Sequence, residues 1–462
     1  MKLIVRKSRL QGTVVIPGSK SHTIRAVVIA SLAAGQSLIR NPLNSSDTQA
    51  VVACYRALGA AIDTSDPKLW KVTGTGGEIT TPPEVIDVGN SGTTLRIAIG
   101  SAALAQAGQT TTFTGDEQIQ TRPIGPLMDA LSELGAKCTS LNNNGKVPVE
   151  VTGKLTGGRT AVAATTSQYL SSLLLCAPLA SKDTQIDVTL LNEPGYVQMT
   201  LDWLDKQHIE YEITDSHGFA TDFTDLICGN RRKESELICV FKIKGNQSYK
   251  AFDATIPADF SSATFFLCAA AMSAEEVTLL GLDFADSQPD KAVVDYLKAM
   301  GADISIGPNL SAAAGESGDS QDSVTVKAAT LKGTELDMNK TPDALPAMAV
   351  TAAFAEGPTK LLNVPQARSK ETDRIKCMAE ELKKMDVDIE ELPDGLIIGG
   401  SRPKPAELHG WADHRIVMAL SLAGLNLDGK CTIDTAEAIA VTFPNYVELM
   451  KGIGANMELV NA

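Results

Sequence analysis

"GNSGTTLRIAIGSAALA", residues Gly89–Ala105, opens on small polar residues and runs into a segment that is apolar on every side, with one arginine, Arg96, in its first turns. A helix with no polar face belongs inside its domain. Its N-terminus then carries the interest, because unpaired N–H groups and a partial positive charge gather there and suit an anion. The same pattern recurs six times, starting at Ser21, Gly92, Ser167, Phe260, Asp343 and Asp413. After each comes a second helix that passes through a one-residue junction into an alternating strand. The junctions are Gly59, Gly135, His208, Gly301, Asp386 and Gly454, at offsets of 38, 43, 41, 41, 43 and 41 residues from the helix starts. So constant a spacing identifies six related α/β units, packed three and three. Glycine suits such a junction as a helix C-cap with positive φ; His208 and Asp386 depart from that pattern.

The chain has 462 residues, enough for two or three domains. With 44% hydrophobic residues but only 5% aromatics, the core must be built from Ala, Leu, Ile, Val and Met. No apolar run reaches the length of a membrane span, so no membrane is expected. The start, "MKLIVRKSRLQGTVVIPGSK", alternates like a strand and lacks a signal peptide's apolar centre, and a cytoplasmic location is expected. Eight cysteines and five histidines are scattered without metal-ligand spacing, so no metal is expected. Cys176 and Cys268 lie in apolar helical runs and read as buried thiols. A net charge of −14 argues against nucleic acid as a partner. It does not exclude a small anion, because salt screens charges beyond ~8 Å. Within ~4 Å, at an effective dielectric of ~20, two unit charges still interact by ~4 kcal/mol.

The helix starts collect the candidate chemistry. "PGSKSHTIR" offers Ser19, Lys20, Ser21 and Arg25; "TRP" adds Arg122; "KTPDALPAM" adds Asp343; "RSKETDR" (368–374) adds further charges; "ADHR" adds Asp413, His414 and Arg415. Capping would explain any single serine or threonine. It does not explain Lys20, Arg25, Arg96 and Arg415 together, because cations oppose the dipole at a helix N-terminus. Many cations with a few acids at equivalent places point to proton-transfer chemistry on a strongly anionic substrate. Two polar, low-complexity stretches, near 215–236 and 309–323, read as surface insertions. A crossover between domains is expected near "GNQSYKAFDATIPADFSS" (Gly245–Ser262).

The motifs "PGSKSHTIRA", "GNSGTTLR", "TGDEQIQTRPI", "TSQYLSSLL", "PADFSSATFFL", "PDALPAMAV", "SKETDRI", "DHRIVMA" and "TFPNY" cover nearly the whole chain in order. On these the sequence closely resembles the 5-enolpyruvylshikimate-3-phosphate synthase (3-phosphoshikimate 1-carboxyvinyltransferase) family of enolpyruvyl transferases. The resemblance implies an α/β fold of two inside-out, barrel-like domains, each of three βαβαββ units with buried helices. The boundaries expected are 19–250 for one domain and 1–18 plus 251–462 for the other, with the active site in the interdomain cleft.

The reaction implied moves the enolpyruvyl group of phosphoenolpyruvate to the 5-hydroxyl of shikimate 3-phosphate and releases phosphate, in chorismate and aromatic amino acid biosynthesis. No cofactor is implied, a monomer is expected, and glyphosate would act at the donor site. Lys20, Asp343 and Glu371 would be catalytic. Ser21, Arg25, Thr166, Ser167, Gln168, Tyr196, Asp343 and Lys370 would meet shikimate 3-phosphate. Lys20, Asn90, Gly92, Arg96, Arg122, Gln168, Arg374 and Arg415 would meet phosphoenolpyruvate.

The sequence also departs from the family pattern. Val441 stands where a lysine usually precedes "TFP", Gln366 replaces a more usual Asn or His, and "NEPGY" has Asn192 and Glu193 where a serine commonly serves the substrate phosphate. Gln118 stands where some members have arginine. The alternatives are a paralogue acting on another acceptor, such as UDP-N-acetylglucosamine, or a non-catalytic anion-binding paralogue. Against the first, the loop "GDEQIQTRP" lacks the cysteine typical of that branch.

Overall fold

Each of the six junction residues lies in left-handed backbone, with φ of 108° at Gly59, 104° at Gly135, 55° at His208, 94° at Gly301, 62° at Asp386 and 97° at Gly454. In every case the following N–H reaches the carbonyl five residues back. Ala60 bonds Tyr55, Ala136 Leu131, Ile209 Leu204, Ala302 Leu297, Val387 Leu382 and Ala455 Met450, all at 2.9–3.1 Å. This is the Schellman closure, which satisfies otherwise orphaned carbonyls and turns the chain into the next strand. His208 and Asp386 therefore keep the geometry that glycine provides elsewhere, at a cost of roughly 1–2 kcal/mol each for a side chain in that region.

The computed structural model describes residues 1–223, 238–308 and 322–461. Most of the residues that read as insertions, 224–237 and 309–321, lie outside this description. The described residues form six four-stranded mixed sheets. In four of them the strands lie in the chain order first, second, fourth, third; the two that contain Asp253–Thr255 or Lys2–Arg6 keep the same arrangement, a parallel pair extended by two antiparallel strands, with a strand from far along the chain. In one, Ile86–Asp87 and Thr110–Thr114 run parallel, and Val149–Thr152 and then Lys137–Ser140 add antiparallel. The helix Gly92–Ala102 is the crossover that a parallel pair requires. No sheet among the described residues closes into a barrel; the barrel-like expectation is met only as three separate sheets in each unit.

The chain divides into two compact units, Met1–Ser19 with Pro257–Ala462, and Lys20–Ile256. Each borrows strands across long stretches of sequence. In Lys20–Ile256, Asp253–Thr255 pairs parallel with Gln36–Arg40. In the other unit, Leu10–Val15 pairs parallel with Ala274–Leu282, and Lys2–Arg6 lies antiparallel between Lys430–Ile433 and Asn456–Val460.

Each unit has one apolar core, centred on three buried helices. Lys20–Leu32, Gly92–Ala102 and Ser167–Cys176 fill one; Phe260–Ser273, Leu345–Ala353 and His414–Gly424 fill the other. Every residue from Phe260 to Ala271 is buried, so a charge placed anywhere on that stretch would be desolvated without a partner. The second helices are amphipathic instead. Arg374–Lys384 buries Ile375, Met378, Ala379 and Leu382 and ends on Lys383 and Lys384, which complement its dipole. The seven cysteines among the described residues are free, and burial pushes the Cys176 and Cys268 thiols up to about 12.

Candidate active site

In three of the repeats, the two loops leaving the carboxyl ends of the parallel strand pair lie side by side, at the start of the buried helix. Pairing of Asp87 with Thr114 brings Gly89–Gly92 beside Gly115–Arg122. Likewise Ala164 with Leu191 brings Thr166–Ser167 beside Glu193, and Asp337 with Leu362 brings Asp343 beside Lys370–Glu371. This is the crevice where open α/β sheets place ligands, and it explains why the candidate residues cluster at helix starts in the sequence.

In the unit Lys20–Ile256, Lys20 begins its helix and donates to Asp47 Oδ2 at 3.0 Å. Arg25 is buried and fully engaged. Nε donates to Thr200 Oγ1 at 2.9 Å, Nη1 to the Ser21 carbonyl at 3.1 Å, and Nη2 to the Tyr196 carbonyl at 2.8 Å and Ser171 Oγ at 3.4 Å. Burial pulls this guanidinium down to about 10, against the opposing influence of Tyr196 and Asp202. Ser21 and Tyr196 thus enter the cluster through backbone carbonyls, tied together by Arg25.

Arg96 Nη1 donates to Gln168 Oε1 at 2.7 Å, and its guanidinium lies over the Tyr169 ring, 5.7 Å from the centroid. Gln168 Nε2 donates in turn to Thr93 Oγ1 at 3.0 Å. Arg122 is buried beside them. A Cβ on Gly92 would stand 2.6 Å from Arg122 Nη1 and 2.7 Å from Arg96 Nη1, so the missing side chain is the space in which two guanidiniums approach one helix start. Asn90 holds the neighbouring loop, donating to Asp116 Oδ2 at 2.7 Å and to Gln118 Oε1 at 2.6 Å. Thr166 caps the helix Ser167–Cys176 by accepting from Gln168 N.

The other unit gathers three acids and three cations. Asp343 sits in a 3-10 turn, Pro342–Ala344, rather than in the first α-turn that the sequence suggests; Pro346 follows just inside the helix Leu345–Ala353. Its Oδ1 accepts from Arg374 Nη1 at 2.8 Å and its Oδ2 pairs with Arg415 Nη2 at 3.0 Å, while Lys370 Nζ lies 3.9 Å away. Glu371 accepts from Arg374 Nη2. Asp413 accepts from Arg374 Nε at 2.8 Å and from Thr372 Oγ1 at 3.0 Å, and it caps its helix through Arg415 N at 2.9 Å. Burial alone would raise the Asp343 carboxyl, but Arg415, Lys370 and Arg374 outweigh it and hold the group well below the usual range. Burial would also lower Arg374, yet Asp413, Glu371 and Asp343 keep it firmly charged.

Asp47, Thr93, Glu193 and the bridging role of Asp413 are absent from the sequence-based set of site residues. Of the departures noted in the sequence, Gln366 is buried and donates to the Asn339 carbonyl at 2.9 Å. Val441 ends a 3-10 helix, Ala436–Val441, and is half-buried. Among the described residues no group of three or more His, Cys, Asp or Glu is arranged to hold a metal ion, and no helix is long and apolar enough to cross a membrane.

A family model described as EPSP synthase (3-phosphoshikimate 1-carboxyvinyltransferase) matches residues 4–222 and 231–450. The chain belongs to the EPSP synthase family. Within it, the chain is 51% identical over 457 residues to the 3-phosphoshikimate 1-carboxyvinyltransferase of Acetivibrio thermocellus, covering 99% of both chains. It is 49% identical over 460 residues to that of Ruminiclostridium cellulolyticum, covering all of both. An EPSP synthase structure from Acinetobacter baumannii aligns over the full length of both chains with a TM-score of 0.78 and 25% identity. The enolpyruvyl transferase NikO from Streptomyces tendae shares the fold, with a TM-score of 0.74 at 18% identity over 100% of this chain and 99% of its own. Its place in the EPSP synthase family makes the chain a transferase.

Proposed function

We propose that this protein transfers the enolpyruvyl group of phosphoenolpyruvate to the 5-hydroxyl of shikimate 3-phosphate, releasing inorganic phosphate. The observation that carries the reading is the arrangement around Arg374, whose guanidinium bonds Asp343, Glu371 and Asp413 together. Two carboxylates on one cation, differently placed, can divide acid and base work.

In the proposed reaction a proton adds to the methylene carbon of phosphoenolpyruvate and cationic character develops at C2. The 5-oxygen attacks C2 as its own proton leaves. The tetrahedral intermediate then expels phosphate, and a proton lost from the new methyl restores the double bond. Asp343 is held ionised and suits the proton-accepting role; Glu371 and Lys20 complete the proton-transfer set. Arg374 and Arg415, with Arg122 and Lys20, would take the donor's carboxylate and phosphate, for which guanidinium forks are well shaped. As the donor draws Arg374 and Arg415 away from Asp343, that carboxylate loses stabilising charge and becomes more basic, so donor binding would prepare the base.

Ser21, Arg25, Thr166, Ser167, Tyr196 and Lys370 would hold the acceptor, with Gln168, already bonded to Arg96, between the two substrates. One chain carries both sets, which supports a monomer, and the free buried thiols support a reducing, cytoplasmic setting. The test is phosphate release by the purified chain with phosphoenolpyruvate, with and without shikimate 3-phosphate, and mass analysis of the product. Release that ignores shikimate 3-phosphate, or that needs UDP-N-acetylglucosamine instead, would refute the reading.

A further inference from the structure

The donors at the start of the helix Ser167–Cys176 are already occupied by the chain itself. Ser167 Oγ donates to Glu193 Oε2 at 2.8 Å, and Ser167 N and Thr166 Oγ1 approach the same oxygen at 3.3 Å each. Glu193 is 1% exposed, and its charge reaches as far as Arg96.

An ordinary capping role does not account for this. The helix already has its own cap in Thr166, which accepts from Gln168 N. Glu193 comes from the neighbouring loop, and it stands at the N-cap position of a different helix, Pro194–Lys206, to which its side chain gives no capping bond. It also sits in left-handed backbone, φ 56°, a conformation that costs a non-glycine residue energy and persists only where its surroundings impose it. Such a segment directs a carboxylate, away from its own helix, onto hydroxyl and N–H donors that would otherwise receive an anion.

We infer that Glu193 is a resident anion in the acceptor's phosphate cradle, one that shikimate 3-phosphate must displace, and so a determinant of acceptor affinity. The inference rests on the proposed role of Thr166 and Ser167 in holding that phosphate. A phosphate dianion and a carboxylate cannot share the same three donors without strong repulsion, so binding includes expelling Glu193 from the cradle. An acceptor without the phosphate, such as shikimate, leaves Glu193 where it is.

Calorimetric titration of the full chain with shikimate 3-phosphate, shikimate and inorganic phosphate tests this. Glu193→Gln keeps the side chain's shape but removes the charge. It should tighten shikimate 3-phosphate about tenfold, equivalent to ~1.4 kcal/mol. Inorganic phosphate should gain in parallel, while shikimate binding stays unchanged. Glu193→Asp, which withdraws the carboxylate by one methylene, should shift the same quantities in the same direction by less, and serves if the glutamine variant does not fold. Unchanged or weaker binding of shikimate 3-phosphate in a folded variant would overturn the inference. Ser167→Ala, made in the Glu193→Gln background, separates the two levels. Weakened shikimate 3-phosphate binding there keeps the cradle reading even if Glu193 proves irrelevant; no change removes the cradle reading itself.

Discussion

Arg374 and Asp413 are joined by two hydrogen bonds, Nε to Oδ2 at 2.8 Å and Nη2 to Oδ1 at 3.2 Å, with both side chains shut off from solvent. The same carboxylate caps the helix that carries Arg415. One acid therefore fixes the orientation of one arginine and the backbone that presents the other. Asp413→Asn keeps an oxygen for the cap but removes the charge, and breaking a buried pair costs about 3–5 kcal/mol. The Michaelis constant for phosphoenolpyruvate should rise at least ~10-fold, since bidentate anion recognition depends on a fixed fork, while that for shikimate 3-phosphate changes little. Steady-state kinetics with a melting curve checks both. An unaltered donor constant would mean that Asp343 and Glu371 suffice to orient Arg374.

Asp343→Ala and Glu371→Gln should each reduce turnover by ~10²–10⁴, the usual contribution of a positioned acid or base. Acceptor affinity should fall far less. Turnover near the parent value in either variant would remove that residue from the proton-transfer set.

The Asp343 carboxyl titrates below its unfolded value, so its ion pairs stabilise the folded chain fully above pH ~4. That contribution fades as the pH falls through the folded-state value. Asp343→Asn should therefore be less stable than the parent near pH 7, and the gap should narrow below pH ~4. Urea unfolding across pH 3–7 measures this, and a gap independent of pH would show that lost packing, not charge, is responsible.

Gly92→Ala would place a methyl group against Arg122 Nη1 and Arg96 Nη1. Both are the far ends of flexible side chains, so the fold should survive with a similar melting temperature. The guanidiniums must shift, and the bond from Arg96 to Gln168 shifts with them. Weaker phosphoenolpyruvate binding is expected, together with weaker inhibition by glyphosate. Identical constants for both ligands would mean that these arginines do not face the donor.

Much of this was readable in the sequence because it is local. Period, apolar content and the recurring junction are properties of neighbouring residues, and they hold even where His208 and Asp386 replace glycine. Asp47 was not readable, because its partner Lys20 lies 27 residues away. Glu193 stands in the sequence at a position that commonly serves the substrate phosphate, but its bond to Ser167, 26 residues away, exists only once two parallel strands set their loops side by side. Asp413 stands beside Arg415 in the motif, but its bond to Arg374 spans 39 residues and leaves no trace in either motif. Asp343 looked like a helix-start acid; the two prolines around it turned that start into a 3-10 turn.

The borrowed strands give the two units different histories on the ribosome. Lys20–Ile256 has every strand it needs once Asp253–Thr255 has been made, and can fold as synthesis continues, as domains commonly do. Lys2–Arg6 is made more than 400 residues before its partners, Lys430–Ile433 and Asn456–Val460. Throughout that interval an apolar strand, Leu3 and Val5 included, stays unpaired and open to misassociation. The unit that is completed second is thus the one whose early-made strand waits longest for its partners.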